Sequence, residues 1–212
     1  MLDFIRIACA VPAVRVGDTA KNAEDICAYI EKADGERADI VLFPELALTG
    51  YTCQDLFFQD TLWTGVQQGI RKIADCTKDH PNVTAAVGLP VRTGMRMYNC
   101  AAVISRGKIH ALVPKTYIPN YNEFYEKRWF SSGAEVTEDM AELLGEPVPI
   151  LPRAVFRVGG TLLGVEICED MWTPLPPSTF LALNGAEVIL NLSASNETIG
   201  KRAYRRGLVQ HQ

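Results

Sequence analysis

The chain has 212 residues, 21 Lys and Arg against 25 Asp and Glu, and a net charge of −4. Hydrophobic residues make up 48% and charged residues 22%, which suits one folded domain and excludes a disordered or collagen-like chain. The mild acidity excludes the basic footprint of a nucleic-acid binder, and no run approaches the roughly 20 apolar residues that cross a bilayer.

The first residues, Met1-Leu2-Asp3-Phe4-Ile5-Arg6-Ile7, carry Asp3 and Arg6 inside an apolar run. A signal peptide would keep that run uncharged, so the segment reads as a first strand reaching Val11, and a cytosolic protein is expected. Lys21 to Lys32 has Ala23, Ile26, Cys27 and Ile30 at helical spacing, with Asp18 and Thr19 as caps. Ala38 to Pro44 is a buried-strand run. A long helix is predicted from Asp55 to Thr77, with Leu62, Val66, Ile70 and Ile73 on one broad face. Val83 to Val91 and Tyr98 to Ser105 read as strands around a turn at Arg92-Thr93-Gly94, and Arg106-Gly107 turns tightly into Lys108 to Val113.

Pro114 to Pro152 is irregular and rich in Pro, Gly and aromatics, the mark of a long functional loop. Val155 to Val158 and Thr161 to Ile167 form a hairpin about Gly159-Gly160. A short helix follows from Pro176 to Gly185, then a buried strand from Ala186 to Leu192 and a helix from Gly200 to Gln212. Ala38-Asp39-Ile40-Val41-Leu42 faintly echoes Ala186-Glu187-Val188-Ile189-Leu190, each after a helix. Strands alternating with helices, plus hairpins, predict a layered α/β or α+β fold. No phosphate-binding glycine loop is present, so nothing supports nucleotide binding by this segment.

Six cysteines, Cys9, Cys27, Cys53, Cys76, Cys100 and Cys168, are scattered singly, with no C-x-x-C pair and no histidine at ligand spacing. No metal site is expected, and most of these thiols read as small buried hydrophobes.

Three polar residues stand where strands end: Glu45 after Ile40 to Phe43, Lys115 after Leu112-Val113-Pro114, and Cys168 after Leu163 to Ile167. Ligands of open α/β sheets bind beyond the carboxyl ends of strands. A thiol, a carboxylate and an amine placed there supply a nucleophile, a base and an electrostatic stabiliser. Taken singly, each has a bland reading: a buried thiol, a loop carboxylate, a solvated lysine.

The words around them are Phe43-Pro44-Glu45-Leu46-Ala47-Leu48-Thr49-Gly50-Tyr51, Pro114-Lys115-Thr116-Tyr117-Ile118-Pro119 and Gly164-Val165-Glu166-Ile167-Cys168-Glu169-Asp170. In this order they resemble the nitrilase superfamily of carbon–nitrogen hydrolases over nearly the whole chain. The resemblance implies a four-layer αββα sandwich, with Glu45, Lys115 and Cys168 as the catalytic triad and Glu126 as its supporting carboxylate.

Cys168-Glu169-Asp170-Met171-Trp172, Gly50-Tyr51 and Tyr121-Asn122-Glu123-Phe124-Tyr125-Glu126 resemble, within that superfamily, the N-terminal glutaminase domains of glutamine-dependent NAD synthetases. That branch implies glutamine as substrate, with Tyr51, Tyr121, Phe124, Glu169, Ser195 and Lys201 shaping its site. Arg202 is an adjacent candidate for the substrate carboxylate, because a bidentate clasp favours Arg over Lys. It also implies a separate synthetase domain using ATP and magnesium, no cofactor for the hydrolase part, and a homo-oligomer. Residues 1–212 would then be an incomplete hydrolase domain, the sandwich continuing past the last helix. A stand-alone amidase acting on another small amide or carbamoyl compound is the alternative. A non-enzymatic α/β binding module, in which the three motifs are structural relics, is the third reading; taken alone, Ser193-Ala194-Ser195-Asn196 after a strand reads as an ordinary helix cap. Lys115 would favour a Cys168 thiolate, while Glu45, Glu169 and Asp170 would oppose it, so a neutral thiol is expected at rest.

Overall fold

The computed structural model describes residues 4–212; Met1, Leu2 and Asp3, included above in the first strand, lie outside the described residues. Strand β1 is Ile7–Cys9 and helix α1 is Thr19–Gly35, capped by the Asp18 side chain accepting from Lys21 N at 3.0 Å. Then come β2 (Ile40–Leu42), α2 (Asp60–Asp79), β3 (Thr84–Thr93), β4 (Arg96–Ser105) and β5 (Lys108–Pro114). These five strands form one sheet in chain order, parallel from β1 to β3 and antiparallel from β3 to β5. The parallel crossover through α1 and the tight hairpins are what the alternating pattern calls for.

The single helix expected from Asp55 is corrected. Tyr51–Phe58 forms tight 3-10 turns broken at Gln54, whose φ is +52°, and Gln59 is extended before α2 begins. Long-range contacts override the helical periodicity. The Arg92 guanidinium takes the Phe57 and Gln59 carbonyls at 3.0 and 3.2 Å, and Arg128 clasps Asp55 at 2.6 and 2.7 Å.

The irregular stretch holds two small hairpins, β6 (Asn120–Tyr121) with β7 (Phe124–Tyr125) and β8 (Met140–Leu143) with β9 (Glu146–Pro149). A second sheet joins β10 (Val155–Val158), β11 (Thr161–Ile167) and β12 (Val188–Leu192), with α3 (Pro177–Leu183) crossing between the last two. Helix α4 is Lys201–His211. The echo is structural: β1-α1-β2 and β11-α3-β12 are both parallel strand–helix–strand units.

Alternation along the strands builds the layers. Val41, Val87, Cys100 and Ala102 face Ile26, Ile30, Val66 and Ile70 of α1 and α2. Ile40, Ala86, Ala101 and Val103 face the other way, against Leu163, Val165, Ile167 and Leu190 of the second sheet. On the outside of that sheet α3 lies so close that a Cβ at Gly164 would come within 2.8 Å of Leu181. Helices, sheet, sheet and helix make an αββα sandwich.

Candidate active site

Glu45 follows β2 through Phe43-Pro44, on a loop pressed against β3. A Cβ at Gly88 would lie 2.3 Å from Leu46 N and 2.5 Å from Pro44 O, so only glycine lets that loop sit there. Leu46 is fully buried with φ +52°, a strained conformation held by its surroundings. Lys115 directly follows β5, its N–H donating to Asn99 O at 2.8 Å and its carbonyl accepting from Gly133 N at 2.7 Å. Cys168 follows β11 with φ +43° and starts a tight 3-10 turn through Trp172.

These strand ends converge on a buried charge cluster. Lys115 Nζ donates to Glu45 Oε1 at 2.6 Å and to Glu126 Oε1 and Oε2 at 2.8 and 3.0 Å. The side chains of Glu45 and Lys115 are 0% exposed. Asn99 Nδ2 donates to Glu45 Oε1 at 2.8 Å, Ala194 N to Oε2 at 3.1 Å, and Tyr51 Oη to Glu126 Oε1 at 2.7 Å. Burial works against the Lys115 charge, but Glu45 and Glu126 outweigh it and hold the ammonium above its ordinary range. Glu126 is pushed up by burial and by Glu45, with Lys115 pulling the other way.

Glu45, whose Oε2 accepts the Ala194 N–H at 3.1 Å, stands beside the Cys168 thiol. Burial first, then the Glu45 charge, push its thiol up to about 12, against the opposing pull of Lys115. Two carboxylates face one ammonium here, so the free site favours a neutral thiol.

Asp170 ties the nucleophile turn to the lysine strand. Its Oδ2 accepts from Ile167 N at 2.9 Å, and its Oδ1 from Thr116 N and Tyr117 N at 3.0 and 2.8 Å. Burial pushes this carboxyl up to about 7, although the Ile167 and Tyr117 N–H groups pull it down.

Around this core lies a more open rim. Phe124 packs edge-on between Tyr51 and Tyr121, with centroids 6.4 and 5.9 Å away. Tyr121 Oη donates to the Glu169 carboxylate at 2.9 Å, and burial then Glu169 push this phenol up to about 12. Lys201 Nζ donates to Ser195 Oγ at 2.9 Å, bonds Asn196 Oδ1, and sits 5.2 Å from the Trp172 ring centroid. Asn196 bonds Glu123 in the β6–β7 turn, which links the Ser195–Lys201 pair to the aromatic group. Arg202 is exposed and takes no part in these contacts. Tyr121 and Glu169 border a cavity of about 670 Å³ that also meets Ile118 and Phe130. The sequence-derived site residues thus form a buried core of Glu45, Lys115, Glu126 and Cys168, and a rim of the remainder.

Sequence reasoning missed Asn99, the Ala194 N–H and the clamp made by Asp170. Asn99 has a legible signal, a lone amide inside the apolar strand Met97 to Ile104. Ala194 has none, since any residue except proline carries that N–H. The helix-cap reading of Ser193 to Asn196 is corrected: α4 starts at Lys201 after Gly200, without a side-chain cap. Among the described residues, no three His, Cys, Asp or Glu side chains converge to hold a metal ion, and no helix is long and apolar enough to cross a membrane.

The pattern of the carbon–nitrogen hydrolases matches residues 6–208. The chain belongs to the carbon–nitrogen hydrolase family. Within that family it is similar to a glutamine-dependent NAD(+) synthetase from Mycobacterium leprae, 36% identical over 209 residues, covering 98% of this chain and 31% of that protein. The crystal structure of a glutamine-dependent NAD(+) synthetase from Cytophaga hutchinsonii superposes with a TM-score of 0.82 at 29% identity, covering 98% of this chain and 33% of that one. An amidase of the nitrilase superfamily from Nesterenkonia superposes with a TM-score of 0.73 at 21% identity, covering 94% of this chain and 69% of that one, and bears on the fold alone. The chain therefore spans about a third of the length of the synthetases it matches.

Proposed function

We propose that this carbon–nitrogen hydrolase hydrolyses the side-chain amide of glutamine and is the glutaminase domain of a cytosolic glutamine-dependent NAD synthetase. The observation that carries the reading is the buried Glu45–Lys115–Glu126 cluster beside the Cys168 thiol. The kinship with synthetases named as glutamine-dependent supplies the substrate. In this reading a synthetase domain using ATP and magnesium receives the ammonia, the hydrolase part needs no cofactor, and the assembly is a homo-oligomer.

Cys168 attacks the amide carbon while Glu45 takes the thiol proton, because a thiol pushed up to about 12 is scarcely ionised at neutral pH. The oxyanion meets the Lys115 charge and the backbone N–H after Cys168. A Lys115 N–H becomes available when the two-pronged contact to Glu126 becomes single. Glu45 returns its proton to the departing ammonia, leaving a thioester on Cys168. Glu45 next activates water, and glutamate leaves. Glu126 and Asn99 keep Lys115 and Glu45 in place throughout.

Tyr51, Tyr121 and Phe124 enclose the glutamine stem, Glu169 takes its ammonium, and Ser195 with Lys201 takes its carboxylate. Lys201 is preferred over Arg202 because it is already held against Ser195. The test is ammonia release from glutamine against a panel of aliphatic amides. Preference for glutamine by at least about tenfold in kcat/KM supports the reading; equal or better turnover of a simple amide overturns it in favour of a stand-alone amidase.

A further inference from the structure

Helices α1 and α2 run side by side in the same direction. A Cβ at Gly65 would lie 2.3 Å from Thr19 Oγ1, one at Gly69 lies 3.5 Å from the Ala23 Cβ, Lys72 reaches Glu24 at 3.1 Å, and His80 reaches Asp34 at 3.0 Å. Small residues at the seam draw the two axes together. One turn past Glu24 and Lys72, and before the Asp34–His80 contact, stand Cys27 and Cys76. The Cys27 thiol donates to Lys72 O and the Cys76 thiol to Cys27 O, each at 3.9 Å, so the Cys76 sulphur lies against the Cys27 backbone across the seam. Both are partly exposed, while Cys53 and Cys100 are buried. The pair packs on the helix side of the first sheet, whereas Cys168 lies between the two sheets, so the glutaminase chemistry does not use it.

The two sulphurs are not equivalent. The neighbouring Cys27 thiol holds the Cys76 thiol below its ordinary range against the cost of burial, and His80, 3.0 Å from Asp34, adds to this while Asp79 and Glu31 oppose it. The neighbouring Cys76 and burial push Cys27 up, with Lys72 opposing and Glu24 adding. His80 stands one turn past Cys76, at the end of α2, and lowers its thiol, which suits Cys76 to attack and leaves Cys27 to resolve.

We propose that Cys76 and Cys27 form a thiol–disulfide exchange site that accepts a small-molecule disulfide and closes into a disulfide joining α1 to α2. The Cys76 thiolate attacks one sulphur of the small disulfide, forming a mixed disulfide and expelling one thiolate. The Cys27 thiol then gives its proton to that thiolate and attacks the Cys76 sulphur, expelling the second thiolate. Two protein thiols are oxidised and one disulfide is reduced to two thiols. This does not depend on the glutaminase reading.

The experiment treats the protein with oxidised glutathione, quenches in acid, blocks free thiols and maps peptides by mass spectrometry. A Cys27–Cys76 linked peptide is the expected main product on the helix pair. In Cys27→Ser the glutathione stays on Cys76, and in Cys76→Ser the reaction at Cys27 slows by about tenfold or more. The wild-type map stands alone if either variant fails to fold. Cys76 staying free while exposed Cys9 takes glutathione overturns the proposal, as does a Cys76 adduct that persists in the wild type without linking to Cys27.

Discussion

The two parts of the candidate site are built in opposite ways. Its core holds Glu45 and Lys115 with side chains 0% exposed, each fixed by several short contacts. Its rim holds Tyr121 about half exposed, at 49%, by a hydrogen bond to one carboxylate, and Lys201 by two residues of the loop that leads into α4. In the low dielectric of the core, electrostatic contacts are strong and an unpaired charge is costly. In the rim, water competes for every contact, so the side chains can exchange partners with a substrate. The reacting groups are therefore preorganised, and recognition is left to groups that can move.

That contrast can be broken from the core outward. Cys168→Ala should remove glutamine hydrolysis entirely, and residual ammonia release above a few per cent would exclude Cys168 as the nucleophile. Glu45→Gln should lose about 10²–10⁴ in kcat as a general base and fail in both acylation and deacylation. A rapid ammonia burst from that variant, measured by stopped flow, would contradict the double role.

Lys115→Met leaves Glu45 and Glu126 buried without their cation. The expected cost is about 3–5 kcal/mol of stability, read as a lower denaturant midpoint. An unchanged midpoint would mean the cluster is less charged than its geometry requires. The pH dependence of Cys168 tests the same cluster without mutation. Its folded thiol is pushed up to about 12, so the thiolate fraction should grow about tenfold per pH unit from pH 7 to 10. Iodoacetamide labelling of the Cys168 peptide should climb in step, and a levelling-off above about pH 9.5 would show an ordinary thiol. Cys76, lowered by the neighbouring Cys27 and by His80, should label before Cys168 at neutral pH. Labelling speed alone is thus a poor test of which cysteine is catalytic.

The smallest effects belong to the rim. Lys201→Ala should raise KM for glutamine by about 10-fold with kcat nearly kept, a loss of roughly 1.4 kcal/mol, while Arg202→Ala changes KM less than about twofold. The reverse ranking from steady-state kinetics would hand the carboxylate to Arg202.

Legibility in the sequence follows the same division. Glu45, Lys115 and Cys168 stand in short local words beside apolar strands, and strand ends can be read from hydropathy. The buried support for Glu45 could not be read in that way. Asn99 lies 54 residues from Glu45, and the Ala194 N–H lies 149 residues away. The break before α2 escaped for a related reason, since Arg92 and Arg128 capture that segment from 33 to 73 residues away.

The sequence by itself determined the strand–helix alternation, the three strand-end residues and the family words around them. These follow from local periodicity and from residue chemistry at fixed spacing. Only the tertiary structure decided that Glu126 and Glu45 share one lysine, that Asp170 joins the nucleophile turn to the lysine strand, and that Cys27 meets Cys76. Each of these depends on two or more elements packing at a particular distance. That distance is set by the small residues and close backbone approaches at Gly88, Gly133 and the α1–α2 seam, whose meaning appears only when their neighbours are in place.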